Sequence, residues 1–315
     1  MSDKTEALRD AISRYTEAFA DPFGIARSPI PGMNTVRTTG IGELQHRLYR
    51  PLICLVVQGA KQVTMGSRTL RFKAGDSMLL TADVPTVSQI TKASPHAPYL
   101  SFALYLDPAL IAGLSAEMRG VPVDTGAPIR LQPTDSEIAD TALRMMRLLD
   151  RPASVPVLQA QLVREMHYWL LAGRHGPAIR HLGFPDSQAQ RIARAIEVIR
   201  SDYASVFSVE RLASVAGMSQ STFHHHFRAV TSLTPLQFQK QFRLIEARRL
   251  MLADGANPSN AAYAVGYESV PQFTREYRRL FGLPPKREIV EARRKAQPAT
   301  KMAKDSRPST HVAVD

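Results

Sequence analysis

Cysteine is almost missing from this chain. Cys54 is the single one in 315 residues, which excludes internal disulfides and a thiolate metal cluster. Long apolar runs are missing too: no stretch approaches the roughly 20 apolar residues that a membrane helix needs. The opening MSDKTEALRDAISRY carries acidic residues and no continuous apolar core, unlike a secretory signal. A soluble, cytoplasmic protein without a membrane partner is therefore the simplest expectation. There is no glycine-rich phosphate loop and no G-x-S-x-G nucleophile elbow. What is present is 44% hydrophobic residues, enough for a buried core in each of two domains of ordinary size.

Charge is plentiful and unevenly placed. The net charge is +12, and from residue 186 onward 20 Lys+Arg stand against 12 Asp+Glu, which places +8 there and +4 in residues 1–185. A basic C-terminal portion favours a polyanionic partner, because neutralised phosphates release their counterions. Charge alone does not separate such a surface from a solvated one.

The pattern along the chain changes twice. Leu8, Ile12, Tyr15 and Phe19 repeat at helical spacing, and DPFGIARSPIPGMN then breaks regular structure with proline and glycine. From about residue 36 to 106, short apolar runs alternate with turns: LICLVVQ (52–58), KQVTM (61–65), RTLRF (68–72), SMLLT (77–81) and YLSFALYL (99–106). They read as successive strands of a small barrel or sandwich. After Asp107 the spacing is helical in PALIAGLSAEM, SEIADTALRMMRLLD and VLQAQLVREMHYWLLAG. In the last of these, Leu158, Leu162, Met166, Trp169 and Leu170 form an apolar stripe that either packs internally or faces a homodimer partner. GRHGPAIRHLGFPDSQ (173–188) reads as a linker. The later part of the stretch beyond Pro284 is polar, basic and reads as disordered.

The strongest feature is an internal repeat. LASVAGMSQSTFHHHFRAVTSLTP (212–235) corresponds to AAYAVGYESVPQFTREYRRLFGLPP (261–285), with one residue inserted after the glycine. Each copy reads as a short helix, a glycine turn and a second helix. Ser208 and Asn257 are placed as caps of the first helices, and Ser219 and Ser269 as caps of the second. Pro258 stands at a first helical position, and Ser269 with Gln272 has the spacing of a capping box. Gly217 sits where the chain must leave the first helix through left-handed backbone angles. This is a helix-turn-helix signature, twice.

At about 100° per residue, Phe223, Phe227 and Val230 form a narrow apolar face on the first copy's second helix. Ser221, His224, His225 and Arg228 share the opposite face, with Gln220 at its start, while His226 lies beside the apolar stripe. Three consecutive histidines that diverge in this way cannot converge on one metal. On the second copy Phe273, Tyr277 and Leu280 face inward. Thr274, Arg275 and Arg278 face outward, with Gln272 near the helix start. Arginine can donate two bonds to guanine and glutamine can pair with adenine, so both outward faces carry residue types that reach base edges and phosphates. The joining segment PLQFQKQFRLIEARRLMLA (235–253) reads as one helix with Thr234 as its cap. Its length, roughly 28 Å at 1.5 Å per residue, approaches the roughly 34 Å repeat of DNA. Two half-sites read by one chain are the expected geometry.

These motifs (LASVAGMS, EARRLMLADG, AAYAVGYES and QFTREYRRLFGLPP) resemble the AraC/XylS family of bacterial transcription regulators over about residues 190–290. The resemblance implies that the second helix of each copy enters the major groove, with Ser221, His224 and His225 reading bases from one and Gln272, Thr274 and Arg275 from the other. Val270 and Pro271 depart from it, standing where some members carry polar readers. PLICLVVQGAKQVTMGSRTLRFKAGDSMLLTADVPTVSQI and PYLSFALYLDPALIAGL resemble the regulatory domain of one branch of the same family, which implies a cupin-like barrel that senses a small molecule and mediates dimerisation.

The expected architecture is α+β. A cupin-like β-barrel with helices spans 1–180, an all-α domain of two helix-turn-helix motifs joined by a linker helix spans 186–288, and a basic tail spans 289–315. The expected function is sequence-specific binding of promoter DNA under control of a small-molecule effector, with contact to RNA polymerase, without a cofactor, a metal or catalysis. Two rivals are weighed. A cupin-type metalloenzyme needs clustered histidines and a carboxylate, but the strand region offers only His46 and His96, apart from each other, with Glu43 nearby and no His-x-His pair. His167 and His175, near the end of the Trp169 helix, read as packing or surface residues. A non-specific nucleic-acid-binding protein would use the same charge without paired readers, and RNA modules display exposed aromatics where this repeat turns them inward. Cys54, inside LICLVVQ, reads as a small buried hydrophobe rather than a redox sensor.

Overall fold

A computed structural model describes residues 3–21, 23–42, 44–65, 68–118, 128–184 and 187–296. The chain opens with α1 (Asp3–Phe19) and continues through β1 (Ile25–Arg27), β2 (Met33–Thr38), β3 (Gln45–Tyr49), β4 (Leu52–Gln58), β5 (Ala60–Met65), β6 (Arg68–Lys73), β7 (Asp76–Leu80), β8 (Val84–Lys92) and β9 (Tyr99–Tyr105). Then come α2 (Pro108–Glu117), β10 (Ile129–Pro133), α3 (Ser136–Leu148), α4 (Val155–Ala172) and α5 (Gly176–Ile179). From there on the described chain is helical: α6 (Gln188–Ser201), α7 (Val209–Val215), α8 (Gln220–Thr231), α9 (Pro235–Leu252), α10 (Pro258–Ala264), α11 (Val270–Phe281) and α12 (Pro285–Ala296). The fold is α+β, a sheet domain followed by a helical one.

The strands form two antiparallel sheets, one in the order β1-β2-β9-β4-β7-β10 and one in the order β3-β8-β5-β6. The larger sheet is covered on both faces, which explains why LICLVVQ is continuously apolar instead of alternating. Ile53, Leu55 and Val57 point to a core shared with Leu8 and Ile12 of α1 and with α2, α3 and α4. Leu52, Cys54 and Val56 point to a second core, where Val63, Met65 and Phe72 of the smaller sheet meet them. Cys54 is buried there, and burial raises its thiol pKa, which disfavours the reactive thiolate.

Two expectations need correction here. Within the expected linker 173–188, residues 176–183 are packed structure: α5 and the short 3-10 turn after it put Ala178, Ile179 and Leu182 into the helix-covered core. Glycine, proline and five charged or histidine side chains disguised an apolar anchor of only three residues. The expected tail from 289 begins as helix, since α12 runs to Ala296; the remainder lies outside the described residues. The apolar stripe of α4 divides along its length. Met166 and Leu170 are buried in the core, Leu162 and Trp169 pack against it, and Leu158 is exposed.

The two buried histidines of this region are structural. His167 donates from Nδ1 to the Val163 carbonyl (2.7 Å) and accepts the Asp107 amide at Nε2 (2.9 Å), so one neutral tautomer meets both partners. His175 donates from Nε2 to Ser77 Oγ (2.8 Å), which donates to the Gln132 carbonyl (3.1 Å). Its Nδ1 is buried without a hydrogen-bond partner, and burial pulls the imidazole down to a pKa of about 4.

The residues pack as two compact units, Met1–Phe242 and Arg243–Asp315. The first unit therefore holds both sheets and the α6–α8 helices. Ile192, Ala195, Ile196 and Ile199 of α6 form a helical stripe against Leu212, Ala213, Phe223 and Phe227. In the second unit Leu244, Ala247 and Met251 of α9 are buried, as are Ala261, Ala262, Val265, Phe273 and Tyr277.

Candidate nucleic-acid interface

The repeated segment folds as two helix pairs of the same local construction, α7–α8 in the first unit and α10–α11 in the second. Each opening helix is capped as its sequence dictates. Ser208 Oγ accepts the Arg211 amide (3.2 Å) and Asn257 Oδ1 accepts the Asn260 amide (2.8 Å), each satisfying a donor that has no partner within the helix. Each then ends in the same glycine turn. Gly217 has φ +60° and Gly266 φ +81°, values that cost other residues steric strain. The amide of Met218 donates to the Ala213 carbonyl (2.9 Å), and that of Tyr267 to the Ala262 carbonyl (3.0 Å), the six-to-one bond of a Schellman ending.

The second helices start at Ser219 and Ser269, whose hydroxyls accept the amides of Thr222 and Gln272, each at 3.3 Å. Only half of the expected capping box at Ser269 exists, because the Gln272 side chain turns along the helix to Glu276 Oε1 (3.3 Å). A reciprocal box does form at the start of α9. There Thr234 Oγ1 accepts the Gln237 amide (3.3 Å) while Gln237 Oε1 accepts the Thr234 amide (3.0 Å).

One pair of residues escaped the sequence reading. Arg191 of α6 donates from Nε to the Ala216 carbonyl (2.6 Å), and Arg243 of α9 donates from Nη1 to the Gly266 carbonyl (3.0 Å). Each glycine turn is thus held by an arginine from the helix before the pair, with a charge-assisted bond to a carbonyl that the helix leaves unsatisfied. Burial lowers the Arg243 pKa. The available signal was an arginine on each preceding helix, but nothing in its spacing marked it as a backbone ligand.

The apolar faces are buried as expected. Phe223 and Phe227 pack with tilted rings at 5.4 Å, with Phe238 edge-on to Phe227 at 5.6 Å. Phe273 and Tyr277 repeat the 5.4 Å contact in the second pair. Tyr277 Oη also donates to Glu288 Oε2 (2.5 Å), and Arg248 pairs with the same carboxylate (2.6 Å). Leu280 is half-buried.

The opposite faces are open. Gln220, Ser221, His224, His225 and Arg228 are all exposed on α8, so the structure brings these five together on one surface. Gln220 is tethered to Glu210 Oε1 (3.0 Å). His226 is half-buried, its ring edge-on to His225 at 5.3 Å. On α11, Gln272, Arg275 and Arg278 are exposed and Thr274 is half-buried, while Val270 and Pro271 fill the first turn. Among the described residues no group of three or more His, Cys, Asp or Glu side chains could hold a metal ion. His46 sits in β3 and His96 in an exposed turn, while Glu43 lies outside the described residues.

Within the first unit the sheets and the first helix pair touch. Arg200 Nη1 of α6 meets Asp83 Oδ1 at 2.6 Å, with side chains only 19% and 14% exposed. Burial raises the Asp83 carboxyl pKa, with Arg200 opposing it. Leu48 of β3 packs against the α6–α8 core, and Val230 of α8 packs against both that core and the one between the sheets.

A two-sheet domain with its own helical cover is followed by a twice-repeated capped helix pair with one polar face left open. Family models match both parts. The AraC-type transcriptional regulator N-terminus matches residues 29–178 and a helix-turn-helix domain matches residues 212–288. The chain belongs to the AraC/XylS family of transcriptional regulators. It is 29% identical over 103 residues to the transcriptional activator RhaS of Escherichia fergusonii, covering 33% of this chain and 37% of that one. It is 25% identical over 152 residues to the virulence regulon activator VirF of Yersinia enterocolitica, covering 47% and 54%. These matches thus span from about a third to about half of the relatives' length. The fold is similar to that of ToxT from Vibrio cholerae O395, with a TM-score of 0.57 at 11% identity over 82% of this chain and 98% of that one.

Proposed function

We propose that this chain is an effector-controlled regulator that binds promoter DNA in a sequence-specific way. In this reading α7–α8 and α10–α11 are both helix-turn-helix motifs, α8 and α11 are the helices that enter major grooves, and the sheets form a cupin-like effector domain. The observation that carries it is the pair of open, polar and cationic faces on α8 and α11, each on a helix whose start and preceding turn are fixed by capping and by an arginine. Such fixing supports base reading, which needs side chains presented from a rigid element. His224 and His225 act as readers with Ser221, while Arg228 and Gln220 serve the first helix's contacts with backbone and bases. Gln272, Thr274, Arg275 and Arg278 serve the second.

Effector control draws support from two sources. The ToxT structure that shares this fold carries a naphthalenyl butenoic acid, so a protein of this architecture takes a small molecule. In this chain the Asp83–Arg200 pair and the Leu48 and Val230 contacts give the sheet domain a physical connection to the first motif. An effector shifts DNA binding only as far as its affinity differs between two arrangements of that connection. Homodimerisation, contact with RNA polymerase and a cytoplasmic location belong to the same proposal. Among the described residues no helix is long and apolar enough to cross a membrane.

Arg275→Ala tests the reading. It should weaken binding to a selected operator by about 1–3 kcal/mol and relax preference at one base position. An equal loss on every duplex, measured by competition titration, would make Arg275 a phosphate anchor.

A further inference from the structure

The outer helix of each pair carries, at its start, a glutamine whose amide is tied to a carboxylate. On α11, Gln272 donates from Nε2 to Glu276 Oε1 (3.3 Å). On α8, Gln220 donates from Nε2 to Glu210 Oε1 (3.0 Å). The two ends of an amide are alike in shape and opposite in chemistry. A carboxylate only accepts, so the amide must turn its nitrogen toward it. Oε1 is then the end left for a partner, and among the described residues neither Oε1 has one.

On α11 the carboxylate is itself held. Glu276 Oε2 accepts the Tyr267 hydroxyl at 2.7 Å. Tyr267 is buried and lies edge-on to Phe273 at 5.4 Å. Burial raises its hydroxyl pKa, with the Glu276 bond and charge adding to the effect, so the hydroxyl stays a donor. Tyr267 directly follows Gly266, whose carbonyl Arg243 binds. Contacts therefore run without a gap from the glycine turn through Tyr267 and the half-buried Glu276 to the exposed Gln272 amide.

An untethered glutamine can use either end on a base edge. Its oxygen accepts from the amino groups of adenine and cytosine, and its nitrogen donates to guanine or to thymine O4. Held by Nε2, the side chain loses that choice. Its remaining N–H can still add a bond to adenine N7, but a guanine would set Oε1 against acceptors. We propose that Glu276 is a positioning residue that fixes the Gln272 amide with Oε1 toward the groove, so that Gln272 selects adenine or cytosine over guanine and thymine on the contacted strand. This role deepens the DNA-binding reading and rests on it.

Competition titration of the full chain against a selected operator and its single-base variants tests it. Gln272→Ala locates the contact, as the position whose base preference it abolishes. There the parent chain should favour adenine or cytosine about tenfold or more over guanine and thymine. Replacing the preferred base by its analogue without the amino group should cost about as much. Glu276→Gln keeps an oxygen for the Tyr267 hydroxyl, but its amide also accommodates a reversed Gln272. That variant should melt like the parent while its preference shrinks to about threefold or less. Glu268→Gln, which removes an exposed neighbouring charge, should leave the preference unchanged. The analogue measurement on the parent chain decides the matter even where a variant does not fold. No altered position in Gln272→Ala, a preference for guanine or thymine, or an unchanged preference in folded Glu276→Gln would overturn the role of Glu276 and leave the DNA reading in place. So would a gain in affinity equal on every duplex, the effect of losing any carboxylate near phosphates. Failure to select any operator would overturn the DNA reading itself, and the role of Glu276 with it.

Discussion

A single histidine shows how burial sets chemistry at the scale of one residue. His175 has one proton shared with Ser77 and a second nitrogen with nothing to donate to. Its folded pKa of about 4 lies below the usual imidazole value near 6.5. Between those two values the unfolded chain binds a proton that the folded chain refuses, so stability falls as pH drops through about 6.5 and the loss is complete below about 4. The expected contribution is about 2–3 kcal/mol. Urea unfolding at pH 7 and pH 4.5 should show a smaller pH-dependent loss for His175→Gln than for the parent chain. An identical loss in both would place the acid sensitivity elsewhere. The three histidines of α8 are the opposite case. His224 and His225 stand in solvent and His226 is half-buried, as a 100° helical step requires, and what looks like one cluster is two exposed residues and a packing one.

At the scale of elements, the features legible in the sequence were those with a strong local cause. β4, β6, β7 and β9 match the apolar runs between turn residues almost end to end, and α7, α8, α10 and α11 follow from caps, glycines and phenylalanine spacing. β8 was not legible as a strand because its inward side alternates Val84, Thr86, Ser88 and Ile90, so half of that face is polar. For the same reason the depth of the inter-sheet core stayed hidden: the register that sets Lys61 opposite Phe72 and Ile90 is not written in KQVTM. α5 was missed because glycine and proline signal a break while a few apolar side chains decide its packing. The glycine turns permit a direct check. Gly217→Ala and Gly266→Ala should each cost about 1–2 kcal/mol of stability from their left-handed backbone angles, with operator affinity falling in step. Thermal melts unchanged in both variants would show that the turns relax without strain.

At the scale of the whole molecule, the change in composition near residue 186 does not coincide with a break in packing. The sheets and the first helix pair lie in one compact unit, and the second unit begins within α9. Among the described residues the Asp83–Arg200 ion pair joins the sheets to α6, and the proposed effector control would pass through it. Its energetic role is measurable by a double-mutant cycle on Asp83→Asn and Arg200→Gln. Residues in contact couple by about 0.5–3 kcal/mol, and a coupling in that range is expected both in stability and in operator affinity. Coupling in stability alone would reduce the pair to a structural clip.

In the proposed function, two presented faces read two stretches of DNA. Fragments selected from the host's own DNA, then footprinted with the full chain, test it most directly. Protection is expected in two blocks about one helical turn apart, the roughly 34 Å repeat of the duplex. One block should weaken in His225→Ala and the other in Arg275→Ala. Protection spread evenly over any duplex, with both variants losing affinity uniformly, would contradict it.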